Sequence, residues 1–123
     1  MKIYILTDME GISGIGRREM VMADEGGQHY QYGRKCLTED INAAVAGAFD
    51  GGATDVVVND GHGGGRHLIL EEADPRALYE RPVSGYHLMP SLDESFDGLF
   101  VVGAHAMAGT IDAFLDHTQS SAT

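Results

Sequence analysis

An α/β domain on a mostly parallel sheet, flanked by helices in three layers, is the fold this sequence predicts. Three observations carry the expectation. Lys2–Thr7 is a continuous apolar run with β-branched and aromatic members, the pattern of a strand buried on both faces. Leu37, Ile41, Val45 and Phe49 then recur every fourth residue, with alanines between them, which makes an amphipathic helix. Asp55–Asn59 contains three consecutive valines and reads as a second buried strand. Strand, helix and strand in that order form a βαβ unit, whose strands pair in parallel.

The elements follow in chain order. The first strand delivers Asp8 to its carboxyl end, and the glycines at 11, 14 and 16 make a flexible turn. The polar, methionine-containing stretch up to Tyr32 has no clear period and reads as a surface excursion near the site. The helix is expected over residues 32–50, stopped by Gly51-Gly52. After the second strand, His62-Gly63-Gly64-Gly65 is a tight loop, and Leu68-Ile69-Leu70 and Ala77-Leu78-Tyr79 are short apolar pieces without a firm assignment. Residues 99–102, framed by Gly98 and Gly103, make a third strand, which delivers His105. Residues 106–114 and a polar tail over 119–123 complete the chain, and no run after the third strand is long enough to be the helix that covers the far side of a parallel sheet. The expectation is therefore one α/β metal-binding domain over residues 1–123, incomplete by itself, and either the front part of a longer protein or one that completes its core with a partner.

Composition narrows the function. At 123 residues the chain suits one core, and 43% hydrophobic with 22% charged residues are ordinary values for a globular protein. Nineteen carboxylates against eight Lys and Arg give a net charge of −11, and with no cationic cluster they argue against a nucleic-acid surface. The first apolar run, residues 3–6, is too short for the core of a secretory signal, and no stretch approaches membrane-spanning length. The single cysteine, Cys36, permits no internal disulfide and reads as a small apolar residue on the helix face, so a reducing cytoplasm is the simplest compartment.

Four polar signatures lie at or just beyond the apolar runs: Asp8-Met9-Glu10, Asn59-Asp60-Gly61-His62, Gly103-Ala104-His105 and Asp116-His117. Cations of hard or borderline character take oxygen and imidazole ligands, and open α/β sheets place ligands beyond the carboxyl ends of their strands. Asp8 and Glu10 are two apart, so persisting strand geometry would point both carboxylates to one side, where one of them can bridge two metals. His62 and His105 follow their strands closely enough to converge with Asp8. Each residue has a bland alternative: Asp8 as the cap of the glycine turn, each histidine as a structural or exposed side chain. Three independent strands ending in ligand-type residues favour the metal site. By spacing alone His117 is a surface histidine, and His29, His67 and His87 are structural or solvated.

Two other chemistries fit less well. His62-Gly63-Gly64-Gly65 matches the oxyanion-hole segment of esterases, but no serine sits in a Gly-x-Ser-x-Gly elbow. The early glycines have neither the order of a dinucleotide loop nor a Walker lysine, so the turns are better read as allowing close backbone approach. A magnesium phosphotransfer domain with Asp8 as nucleophile, and a non-catalytic metal- or ligand-binding module, stay open as alternatives.

The ordered motifs Asp8-Met9-Glu10-Gly11-Ile12-Ser13-Gly14, Val58-Asn59-Asp60-Gly61-His62, Gly103-Ala104-His105-Ala106 and Asp116-His117-Thr118 resemble those of the zinc D-aminopeptidases of the DppA type, peptidase family M55. The resemblance runs over essentially the whole chain. It implies a hydrolase that releases N-terminal D-amino acids from short peptides, working as a ring-shaped homo-oligomer. It further implies a two-zinc site with Asp8, Glu10, His62 and His105 as ligands, Asp8 as the bridge, and His117 as the catalytic histidine. The family adds a glutamate ligand downstream of that histidine, and no glutamate of this sequence follows Glu94. By this resemblance the chain is a fragment, a partner provides the ligand, or the second metal is lost and catalysis with it; the missing helices of the sheet favour a fragment, the N-terminal portion.

Overall fold

The computed structural model describes residues 1–84 and 87–118; the expected polar tail over 119–123 lies outside them. Four strands form one sheet: β1 (Lys2–Thr7), β2 (Asp55–Asn59), β3 (Leu78–Glu80) and β4 (Gly98–Val102). Their order is β3-β2-β1-β4 and every pairing is parallel. The chain thus builds outward from β1 to one side, through β2 and β3, and then crosses to β4 on the other. The carboxyl ends of β1 and β4 flank that reversal, which is where open parallel sheets take their ligands.

The expected βαβ unit is present, with β1 and β2 in the register Lys2↔Asp55 to Leu6↔Asn59. Its helix, α1, runs over Gly27–Asp50 and so begins five residues before the expected start. The extra turn is fixed by tertiary contact, not by an apolar period. Gly26 lies against the Glu19 carbonyl and Gly33 against the Met20 carbonyl, so closely that a Cβ at either position would clash with backbone. These contacts seat the start of α1 on a short 3-10 turn, Arg18–Met20. Met20 and Val21 are buried there, so the stretch taken for a surface excursion returns into the protein beside the site.

Leu37, Ile41 and Val45 of α1 are fully buried against Ile3 and Ile5 of β1 and Val56 and Val58 of β2, while Phe49 is partly buried. Cys36 is buried in the same core, as expected of a small apolar side chain. The opposite face of β1 and β2 carries polar groups: the Tyr4 hydroxyl donates to Glu80 and accepts from Asn59 Nδ2. Of the two unassigned apolar pieces, residues 78–80 form the edge strand β3, whereas Leu68-Ile69-Leu70 stays irregular with Leu68 alone buried. At the other edge, Leu99 and Val101 of β4 are 46% and 56% exposed, and α1 is the one α-helix among the described residues. Among those residues no helix is long and apolar enough to cross a membrane.

Candidate metal centre

The site is assembled by three loops, leaving β1, β2 and β4 at the same sheet edge. Asp8 N–H still donates to the Val102 carbonyl at 2.9 Å, one ladder bond beyond β1, before the chain turns at Met9. Met9 is fully buried in the core, so Asp8 and Glu10 are left facing the other way. The expected same-side placement holds, although the strand itself ends at Thr7. Gly11 N–H donates to the Gly103 carbonyl at 2.8 Å, which ties the turn after β1 to the turn after β4.

Asp8, Glu10 and His62 come together with one ligand atom each, all within 4.8 Å of one another. His62 Nδ1 lies 2.9 Å from Asp8 Oδ1 and 3.2 Å from Glu10 Oε2. Its Nε2–H donates to the Val21 carbonyl at 2.9 Å, so a main-chain oxygen from the segment before α1 orients the ring and leaves Nδ1 for the carboxylates. That is the usual arrangement behind a metal-ligating imidazole. His105 joins from the other side of Asp8. Its backbone N–H donates to Asp8 Oδ2 at 3.2 Å, and its Nδ1–H donates to the Ala106 carbonyl, which leaves Nε2 free at 3.8 Å from the same oxygen. The two oxygens of Asp8 therefore face different histidines.

His117, a surface histidine by spacing, is instead half-buried and stacked on His105, with ring centroids 3.5 Å apart and planes 23° from parallel. Its Nδ1–H donates to the Leu115 carbonyl, leaving Nε2 free. Other members of the four signatures serve the frame. Asn59 binds the Tyr4 hydroxyl and the Leu88 carbonyl, Asp60 accepts the N–H groups of His67 and Leu68, and Asp116 accepts from Gly109. His29 and His87 are exposed; His67 is buried against His62. Val21 and His67 are the participants that sequence reasoning missed. A carbonyl has no side-chain signature, and His67 lies on no strand. A cavity of about 470 Å³ near the ends of β2 and β3, lined by Arg34, Asp60, Arg66 and Arg81 among others, includes none of the five expected site residues.

Electrostatics bind the cluster together. Burial pushes the His62 imidazole down, but its hydrogen bond to Asp8 and the close Glu10 carboxylate outweigh it and raise the group from 6.5 to about 10. Burial likewise pushes the Asp8 carboxyl up, and hydrogen bonds from the His62 ring and from the backbone N–H groups of Met9 and His105 bring it down to about 2. Without metal, His62 is an imidazolium held between two carboxylates. Glu10 Oε2 is buried and accepts no well-formed hydrogen bond, even though His62 is close. An orphaned buried carboxylate oxygen beside a second carboxylate and an imidazole nitrogen is a donor set that fits zinc, which takes mixed oxygen and nitrogen ligands.

A pH dependence follows. A metal ion taking up His62 Nδ1 must displace its proton, whereas Asp8 is already ionised, so one proton should leave per ion bound. Zinc affinity should rise about tenfold per pH unit between pH 6 and 8. Calorimetry in buffers of differing ionisation enthalpy measures that proton; no release would mean that His62 is not a ligand. In the metal-free chain the signs differ by group. His62, raised, contributes stability present below 6.5 and lost as pH rises through about 10. Asp8, lowered, contributes stability present above 3.8 and lost as pH falls through about 2.

Fold and site together define an α/β domain that gathers carboxylates and imidazoles at the switch point of a parallel sheet. Comparison with known proteins makes this specific. The family model for peptidase M55, D-aminopeptidase, matches residues 1–123, and the chain belongs to that family. It is 40% identical over 111 residues to the D-aminopeptidase of Bacillus subtilis strain 168, covering 89% of this chain and 40% of the relative. Among solved structures it is similar to the "Zn-dependent D-aminopeptidase DppA from Bacillus subtilis, a self-compartmentalizing protease", with a TM-score of 0.83 and 37% identity over 89% of this chain and 40% of that one. The chain thus spans about 40% of the length of the curated relative it matches.

Proposed function

We propose that this chain carries the metal-binding part of a zinc-dependent aminopeptidase that releases N-terminal D-amino acids from short peptides. The observation that carries the reading is the position of Asp8, one oxygen toward His62 and Glu10 and the other toward His105. Asp8, Glu10, His62 and His105 would hold the zinc, with Asp8 as the ligand shared between two ions. Zinc supplies Lewis-acid polarisation of the scissile carbonyl and a water of lowered pKa. Glu10 and Asp8 keep the site anionic enough to retain a divalent charge and to receive the positively charged N-terminus of a peptide. His117 Nε2, free because Nδ1 is committed to Leu115, passes a proton to the leaving amine. The stack of His117 on His105 keeps that nitrogen close to the site. The self-compartmentalizing relative supports a ring-shaped homo-oligomer, and the unpaired Cys36 supports a cytoplasmic setting.

Metal analysis combined with hydrolysis of D-alanyl and L-alanyl peptides tests the reading. Two zinc ions per chain and turnover of the D-peptide are expected. His117→Ala should lower turnover by roughly 10²- to 10⁴-fold while zinc content holds. One metal or none, with no turnover in a folded preparation, would replace the enzyme by a binding module.

A further inference from the structure

We infer that His67 is a positioning residue that fixes the ring of His62, carrying the position of α1 into the metal centre. The metal consequence rests on the reading proposed above; the positioning itself does not. His62 is held by hydrogen bonds at its two ring nitrogens, to Asp8 on one side and to the Val21 carbonyl on the other. The ring turns about its Cα–Cβ and Cβ–Cγ bonds, and the two hydrogen bonds restrain that rotation. The edge-to-face packing of His67 adds a steric stop beside the ring, with centroids 4.8 Å apart and planes at 71°.

His67 is itself fixed more firmly than packing alone requires. Its Nδ1 makes a 2.8 Å hydrogen bond with the Tyr30 hydroxyl in the first turns of α1. Its backbone N–H donates to Asp60 Oδ2 at 2.6 Å, and its carbonyl accepts from Arg34 Nε at 2.8 Å. The same two side chains grip Leu68, Asp60 taking its N–H at 2.9 Å and Arg34 reaching its carbonyl at 3.2 Å. Positive φ angles at Gly63, Gly64, Gly65 and Arg66 carry the loop around this ring, and a Cβ at Gly63 would lie 3.5 Å from His67 Nε2. His67 is not a ligand candidate, since it does not join the clustered donor atoms. Its place in the site is through His62.

Two readouts test this on the folded chain, whose integrity is followed by far-UV circular dichroism. One is the exchange rate of the His62 Nε2–H proton in the ¹⁵N-labelled, metal-free chain. The other is zinc affinity by chelator competition. His67→Ala should speed the exchange and weaken zinc binding by about tenfold each, the lower end of what the loss of a supporting partner costs. His67→Phe, which restores a ring of similar thickness, should recover most of both, and Tyr30→Phe should show a smaller loss. Folded His67→Ala with both quantities unchanged overturns the inference. So does His67→Phe behaving as badly as His67→Ala, because the ring contact would then not be the agent. If His67→Ala does not fold, an unchanged Tyr30→Phe overturns it by the same readouts. A wild-type chain that takes up no zinc overturns the metal reading instead, and the exchange rates still decide the role of His67.

Discussion

Asp8→Ala is expected to abolish zinc uptake and, with it, any peptide turnover. The effect should be larger than for any other single ligand, because four interactions end on this carboxylate. Oδ1 accepts from His62 and from the Met9 N–H, while Oδ2 accepts from the His105 N–H and faces the His105 ring. Loss of a supporting partner outside a ligand shell costs about 10- to 100-fold in metal affinity, and removal of a shared ligand should exceed that range. The metal-free chain should suffer too. The His62 imidazolium would keep Glu10 as its one carboxylate, and hydrogen bonds to charged groups are worth about 1.5–3 kcal/mol. Because Asp8 is partly exposed, a loss of about 2 kcal/mol in urea unfolding at pH 7 is the expected size. Asp8→Asn separates the two effects. It keeps an acceptor for one of the Met9 and His105 N–H groups, which bond different oxygens of Asp8, but loses the charge, so stability should recover in part and more than zinc affinity does. Wild-type zinc content in Asp8→Ala would remove the bridging role.

How far the sequence reveals this arrangement depends on which physical signal each part leaves. β1 and β2 are legible because a strand buried on both faces must be a continuous apolar run, and Lys2–Thr7 and Asp55–Asn59 are such runs. β4 carries the same signal even though its outer residues are exposed among the described residues. β3 leaves almost none, being three residues at an edge with Leu78 71% exposed. The first turns of α1 are invisible to periodicity because glycine contacts with the 3-10 turn hold them. In the site, Asp8, Glu10, His62 and His105 follow from their places after strands, since parallel topology brings strand ends together. His117 cannot be reached that way. Its position depends on the loop over 106–118, which is held by main-chain bonds and by Asp112 and Leu115 at positive φ, a conformation that aspartate tolerates but leucine gives no sign of.

Gly103→Ala should be among the most damaging small substitutions in the protein, and the reason shows what the glycine motifs are for. Gly103 has φ +81°, a conformation that costs an L-residue about 1–3 kcal/mol. Strain is the lesser part. A Cβ there would run into the Asp8 carbonyl oxygen and lie 2.6 Å from Ile12 Cδ1, so the backbone beneath the central ligand would have to move. Gly11 mirrors it across the site, where a Cβ would meet the Ala104 carbonyl oxygen at 2.5 Å. The loops leaving β1 and β4 can carry Asp8 and His105 into contact because neither has a side chain at the crossing. Gly103→Ala is therefore expected to cost at least about 3 kcal/mol in urea unfolding and to weaken zinc binding together with stability. Gly109→Ala is the control: its φ is +83°, yet nothing lies within 4 Å of the added methyl. It should show the conformational cost alone, about 1 kcal/mol, with zinc affinity unchanged. Equal losses for the two variants would mean that backbone conformation, and not the close approach of the two loops, is what the glycine after β4 provides.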